Sequence, residues 1–277
     1  MPHPTARPVG VLRPSRVLEK LRGGDVASCT KINLSDPRVV EIAAIAGFDS
    51  VWLDMEHVAN GIRDIEHAVN AARVHGCDAL VRVPRGSYSD LVRPLEIDAA
   101  GIIVPHVMSA NDARRVVQHT RFHPLGRRPL DGGNADGAFT AIDIDAYVDA
   151  ANRHRMLIVQ IEDPEALDEL DDIAAIDGID ALFFGPGDFT QGLGVPGQGD
   201  DPRVGEARQR VAEAARRHGK FAVTVGSLDN RDSLIDMGYR LISVGADVTH
   251  LRARFAEVAA ACHASRASPR GGGVYSS

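Results

Sequence analysis

Asp54, Glu56, His57, Arg82, Glu162 and Asp188 are the side chains best suited to do chemistry together. Each lies within or just after a short apolar run: MEH follows SVWLD (50–54), Arg82 sits in ALVRV (79–83), Glu162 follows MLIVQI (156–161), and Asp188 closes the PGD after DALFFG (180–185). Two carboxylates that leave coordination positions open suit a hard cation such as Mg²⁺ or Mn²⁺. An arginine fork grips a substrate carboxylate bidentately. A histidine beside a carboxylate is suited to proton transfer near neutral pH. Together they describe metal-assisted enolate formation from a 2-oxo acid, in which the cation polarises the ketone and a base moves the proton. Each residue also has a purely structural reading. Arg82 interrupts an apolar strand either because it is paired inside the fold or because it reaches for a ligand, and GPGD (185–188) taken alone is only a turn containing Asp. Their shared position behind strands is what favours the chemical reading.

A fold that gathers strand ends at one mouth is needed for these residues to meet. Apolar runs at 27–34, 50–54, 79–83, 101–105, 156–161, 180–185, 221–225 and 240–245 alternate with amphipathic stretches such as 37–47, 62–76, 109–121 and 201–219. Continuous apolar runs are typical of strands buried on both faces, and repeated β-then-α units imply a parallel sheet with right-handed crossovers. Eight units predict a closed (β/α)8 barrel, an α/β fold whose active sites lie at the C-terminal ends of the strands. No GxGxxG follows the first strand, which argues against a dinucleotide-binding sheet. The reading divides the chain into a flexible arm over residues 1–24, one barrel over 25–264 and a disordered tail over 265–277. The Gly-, Pro- and Asp-rich segment 123–143 is too long for a simple connection and is expected to be functional or disordered.

Composition agrees. With 44% hydrophobic residues in 277, the chain can bury a large core, and with 5% aromatics that core must be mainly Ala, Val, Ile and Leu. A net charge of -7 argues against a nucleic-acid partner. No stretch is apolar enough for a membrane span, and Cys29, Cys77 and Cys262 lack metal or disulfide spacing, so a cytoplasmic enzyme is expected.

The segments GFDSVWLDMEH (47–57), LVRVPRGS (80–87), GIIVPHVMSANDARRVV (101–117), TRFHPLGRR (120–128), VQIEDPEALDELDDIAAIDGIDALFFGPGDFT (159–190) and SVGADVTHL (243–251) resemble the HpcH/HpaI aldolases. These are metal-dependent class II pyruvate aldolases with a barrel of the phosphoenolpyruvate/pyruvate type, and the resemblance runs from about residue 27 to 262. It implies a lyase acting on a 4-hydroxy-2-oxo acid, with small-molecule 2-oxo acid and aldehyde substrates and a divalent cation (Mg²⁺, Mn²⁺ or Co²⁺). It makes His57 the catalytic base, acting through a metal-bound water and oriented by Asp54. Arg82 would hold the substrate carboxylate and stabilise the developing enolate. Glu162 and Asp188 would be the metal ligands, the GPGD backbone (Gly185, Pro186, Gly187, Asp188) would cradle the substrate carboxylate, and Val225 would line the donor pocket. It further implies a homo-hexamer, a trimer of dimers, with the last helix (246–262) swapped onto a neighbouring barrel.

Three departures bear on the substrate. Lys31 stands where many relatives carry a tryptophan, Glu96 where an Asp is expected near the subunit contact, and the loop LDGGNADG (130–137) differs. Lys31 is expected either to turn towards Asp54 or Glu56, or to meet a polar substrate group; the second is favoured here, which points to an oxygenated, sugar-acid-like substrate. Rival readings are an oxaloacetate decarboxylase or a biosynthetic enzyme using the same enolate, an acyl-CoA lyase of the citrate lyase β type, a Schiff-base aldolase using Lys31 or Lys220, and a barrel that only binds a metabolite.

Overall fold

The protein is described by a computed structural model covering residues 11–263. Among these residues eight strands form a closed parallel barrel in sequence order: β1 (Ala27–Ile32), β2 (Ser50–Asp54), β3 (Asp78–Arg82), β4 (Gly101–Val104), β5 (Met156–Ile161), β6 (Ala181–Phe184), β7 (Phe221–Gly226) and β8 (Tyr239–Ala246). The helices around them are α1 (Arg16–Arg22), α2 (Pro37–Ala46), α3 (Ile62–Val74), α4 (Tyr88–Glu96), α5 (Ala110–Thr120), α6 (Ile144–His154), α7 (Leu170–Ala174), α8 (Pro186–Gly192), α9 (Pro202–Arg217), α10 (Arg231–Met237) and α11 (Asp247–His263). None is long and apolar enough to cross a membrane.

Residue alternation along each strand builds two apolar layers. Val51, Leu53, Val81, Val104 and Val159 face the helices, whereas Trp52, Leu80, Ile103, Ile158, Phe183, Val223 and Leu241 fill the barrel interior. The same alternation carries Asp54 and Arg82, each two residues beyond an interior side chain, into the top layer of the barrel. Local signals set the helix ends. Asp36 caps α2 through the Arg38 N–H, with Pro37 in the first turn, and Gly47 ends it at φ 105°.

Part of the span expected as a flexible arm is structured. Ser15 caps α1, and Val17, Leu18 and Leu21 are buried against the interior cluster at the N-terminal end of the barrel. Each such burial is worth about 1.5–3 kcal/mol at most. Residues 1–10 and the tail expected to be disordered (265–277) lie outside the described residues.

The segment 123–143 also differs from expectation. Its Asp136 is wholly buried beside Arg155, the residue just before β5. The Asp136 carboxylate accepts from Arg155 Nε at 2.6 Å, Arg128 Nη2 at 2.9 Å and the Tyr147 hydroxyl at 2.9 Å, while Arg155 also holds Asp98. This anchor lies at the N-terminal face of the barrel, where buried networks serve stability. Asp136→Asn is expected to cost about 3–5 kcal/mol, because it leaves two buried guanidinium groups under-compensated. Chemical denaturation checks this, and a loss below 1 kcal/mol would mean the network contributes little. Burial works against ionisation of Asp136, but Arg155 and Arg128 outweigh it and hold the carboxyl below its ordinary 3.8. Its contribution is therefore complete above that pH and lost as the pH falls through the lowered value.

Candidate active site

At the C-terminal ends of β1, β2 and β3, three charged side chains lock together. Asp54 is wholly buried and accepts from Arg82 Nε at 2.9 Å and Nη2 at 2.7 Å, while Lys31 Nζ lies 2.7 Å from its Oδ2. Burial opposes ionisation of Asp54, but the hydrogen bonds from Arg82 and Lys31 dominate and keep its carboxyl well below the usual carboxylate range. Beneath them lies Trp52, with the Arg82 guanidinium 4.7 Å and Lys31 Nζ 4.8 Å from its ring. Lys31 and Trp52 are register partners on β1 and β2, which explains why an ammonium and an indole share one wall.

The opposite side of the mouth comes from β4, β5 and β6. Glu162 follows β5 and is wholly buried, and Asp188 lies on the first turn of α8. A Cβ on Gly185 would come within 2.6 Å of Glu162 Oε2, so only glycine lets that carboxylate lie against the β6 end. Gln160 Nε2 donates to Glu162 Oε2, and the His106 backbone N–H donates to Oε1 at 2.9 Å. The His106 ring stands with Nδ1 3.0 Å from Asp163 Oδ2 and Nε2 3.6 Å from Glu56 Oε1. Glu56 closes the circuit, because its Oε2 is 3.0 Å from Arg82 Nη1. Burial, with Asp188 and Glu56 adding repulsion, pushes the Glu162 carboxyl up to about 7 against the downward pull of His106. Burial lowers the His106 imidazole, but the surrounding carboxylates, Asp163 foremost, raise it above its ordinary value.

The sequence-derived set is thus mostly gathered at one mouth, with some differences in role. Asp54 holds Arg82 and Lys31 and does not touch His57, whose half-exposed ring approaches Glu56 Oε2 at 3.4 Å. Lys31 takes the first of its two expected arrangements, on Asp54, and the favoured contact with substrate is not what its geometry displays. Val225 packs at the edge of the interior cluster. Lys220 precedes β7 at the far end of the barrel and donates to the Ile176 carbonyl at 3.1 Å, which removes it from any Schiff-base role at this mouth. Sequence reasoning assigned no role to His106, Gln160 or Asp163. His106 had a signal, since it follows the 101–105 strand by one residue, in the position that makes the other site residues significant.

The ligand atoms of His106, Glu162 and Asp188 lie within 4.8 Å of one another. A buried carboxylate facing a second carboxylate and an imidazole is a donor set that fits a divalent cation. A closed parallel barrel with such a cluster and a buried Arg–Asp pair at its C-terminal mouth has the architecture of a TIM-barrel enzyme, whose active sites lie at that face. A family model of HpcH/HpaI aldolases and citrate lyases matches residues 31–253, and the chain belongs to that family. It is 32% identical over 230 residues to a 2-keto-3-deoxy-L-rhamnonate aldolase of Escherichia coli O17:K52:H18, covering 83% of this chain and 86% of the relative. The crystal structure of an HpcH/HpaI aldolase from Desulfitobacterium hafniense DCB-2 superposes with a TM-score of 0.85 at 31% identity, covering 91% of this chain and 98% of the other. The citrate synthase SbnG superposes at 0.80 with 29% identity, covering 88% and 96%.

Proposed function

We propose that this chain is a divalent-metal-dependent aldolase that cleaves a 2-keto-3-deoxy sugar acid, or a similar 4-hydroxy-2-oxo acid, to pyruvate and an aldehyde. The observation that carries the reading is the facing of the Glu162–Asp188 pair and the buried Arg82 across one barrel mouth. Glu162 and Asp188 would hold the cation, which when bound supplies Lewis-acid polarisation of the 2-oxo group. Arg82 spends Nε and one N–H of Nη2 on Asp54, while Nη1 makes an ion pair but no hydrogen bond with Glu56, so the N–H groups of Nη1 and the second of Nη2 would be the donors for a substrate oxygen. The Gly185 N–H is taken by the Ile161 carbonyl and Pro186 has none, so the first-turn amides of Gly187 and Asp188 would receive the substrate carboxylate. Val225 would border the methyl group of the donor. In the cleavage direction His57 would take the proton of the C4 hydroxyl as the C3–C4 bond breaks, and its exposed position on the loop after β2 leaves it free to move towards substrate. The relative's 2-keto-3-deoxy-L-rhamnonate supports a polyhydroxy substrate, and the Glu56 carboxylate is a polar group at the mouth.

Two further features support assembly. Val248, Leu251, Phe255 and Val258 make an exposed apolar stripe along α11, and Ile42 and Ile45 are exposed on α2. Such a stripe at helical spacing suits packing on another copy, in line with the hexamer with a swapped last helix.

The test is exchange of the pyruvate methyl protons in D₂O, followed by NMR, together with pyruvate release from a 2-keto-3-deoxy sugar acid. Both are expected to stop after EDTA treatment and to return with Mn²⁺, Mg²⁺ or Co²⁺. Exchange that persists at full rate without metal would overturn the reading. Activity on oxaloacetate alone, without aldol cleavage, would favour the decarboxylase instead.

A further inference from the structure

The position of His106 has no role in the reaction outlined above. We infer that His106 is a third protein ligand of the same cation, giving a site of two carboxylates and one imidazole that selects Mn²⁺, Fe²⁺, Co²⁺ or Zn²⁺ over Mg²⁺. This rests on the reading that Glu162 and Asp188 hold a cation.

Three observations carry the inference. First, the ring is directed by an uncommon backbone: His106 has φ 49°, in the left-handed region that a non-glycine residue occupies at a cost of about 1 kcal/mol or more. The segment is fixed there on both sides of the α-carbon. The His106 N–H bonds Glu162 Oε1 at 2.9 Å, and the next amide, that of Val107, bonds the Gln160 carbonyl at 3.2 Å. The loop after β4 is thereby tied to the strand that carries a proposed ligand.

Second, the ring is among the candidate ligands. Its Nδ1 is 3.7 Å from Glu162 Oε1, and one ligand atom each from His106, Glu162 and Asp188 falls within 4.8 Å of the others. Ligands that lie ~2.1 Å from a common ion are ~3–4 Å apart, a difference that small side-chain rotations cover. Third, an orienting group stands ready for whichever ring nitrogen remains. Asp163 lies within hydrogen-bond distance of Nδ1 at 3.0 Å, and Glu56 stands 3.6 Å from Nε2, a small rotation from hydrogen-bonding it, so a carboxylate is at hand for the nitrogen that does not face the ion. Metal-ligating histidines are held in this way.

The chemical consequence is selectivity. Mg²⁺ prefers an all-oxygen shell with several waters, whereas imidazole suits the later first-row ions. Binding of Co²⁺ and Mg²⁺ to the metal-stripped full-length protein would be measured by calorimetry for the wild type, His106→Gln and Glu162→Gln. Cobalt d–d absorption would follow coordination, and pulsed EPR of the Mn²⁺-loaded protein would detect directly bonded nitrogen. His106→Gln is expected to weaken Co²⁺ by at least about tenfold, the lower bound for disturbing a metal site, to change Mg²⁺ much less, and to abolish the nitrogen coupling seen in the wild type. His106 is about one-third exposed, so the variant should fold, and circular dichroism would verify that. Unchanged Co²⁺ affinity in His106→Gln, or no nitrogen coupling in the wild type, overturns the inference while leaving the carboxylate site intact. Wild-type affinity in Glu162→Gln would instead overturn the reading on which it rests.

Discussion

Glu162→Gln is expected to abolish divalent-metal binding and reduce kcat by at least about 10³-fold, the upper range for removal of a single group that stabilises developing charge. The substitution is nearly isosteric and the side chain is wholly buried, so packing is preserved and the effect is one of charge and donor capacity. The neutral amide still accepts from the His106 N–H and can still meet Gln160, but it offers the ion a weak carbonyl oxygen in place of a carboxylate. Metal titration of the folded variant checks this. A variant that binds Mn²⁺ as the wild type does would remove Glu162 from the ligand set.

Arg82→Ala has two expected effects of similar size. The guanidinium is the bidentate partner of Asp54 and also reaches Glu56, so its loss leaves a buried carboxylate with Lys31 as its remaining cation. Breaking a buried pair in this way costs about 3–5 kcal/mol. Turnover should fall by about 10²–10³-fold through loss of the donors facing substrate. Arg82→Lys separates the two effects. An ammonium keeps the positive charge but cannot span Asp54 and Glu56 with one planar fork, so most of the stability should return and little of the activity. Denaturant unfolding beside steady-state kinetics reads both. If Arg82→Ala unfolds at the wild-type denaturant midpoint, the Asp54 pair is not a structural element of the barrel.

How far the sequence reached can be argued from individual residues. Strand and helix alternation is a local property of hydrophobic periodicity, and a run such as MLIVQI or GIIV has few alternatives once buried on both faces. Eight such runs suffice to specify the barrel, and the barrel in turn assigns whatever follows each strand to the mouth. That is why the placement of Asp54, Arg82, Glu162 and Asp188 at the mouth is legible in the sequence.

Other features depended on distances that no local pattern encodes. Only the parallel pairing of β4 with β5 brings the loop after β4 against the end of β5, so the link between His106 and Glu162 joins residues 56 positions apart. Only the β1–β2 register sets Lys31 beside Trp52, and the nearest carboxylate then decides that Lys31 pairs with Asp54. The segment 123–143 reads as a functional or disordered loop from its length and its Gly, Pro and Asp content, yet Asp136 anchors it at the N-terminal face because Arg155 and Arg128 lie there to compensate its buried charge. Likewise α1 is short and unremarkable in sequence, and becomes a plug only because the open lower end of a barrel needs apolar cover. The sequence by itself determined the fold and most of the charged groups at the mouth, His106 and Asp163 excepted. Tertiary structure decided their partners, because burial makes each charge seek the nearest opposite charge in space, and nearness in space is set by closure and register, not by order along the chain.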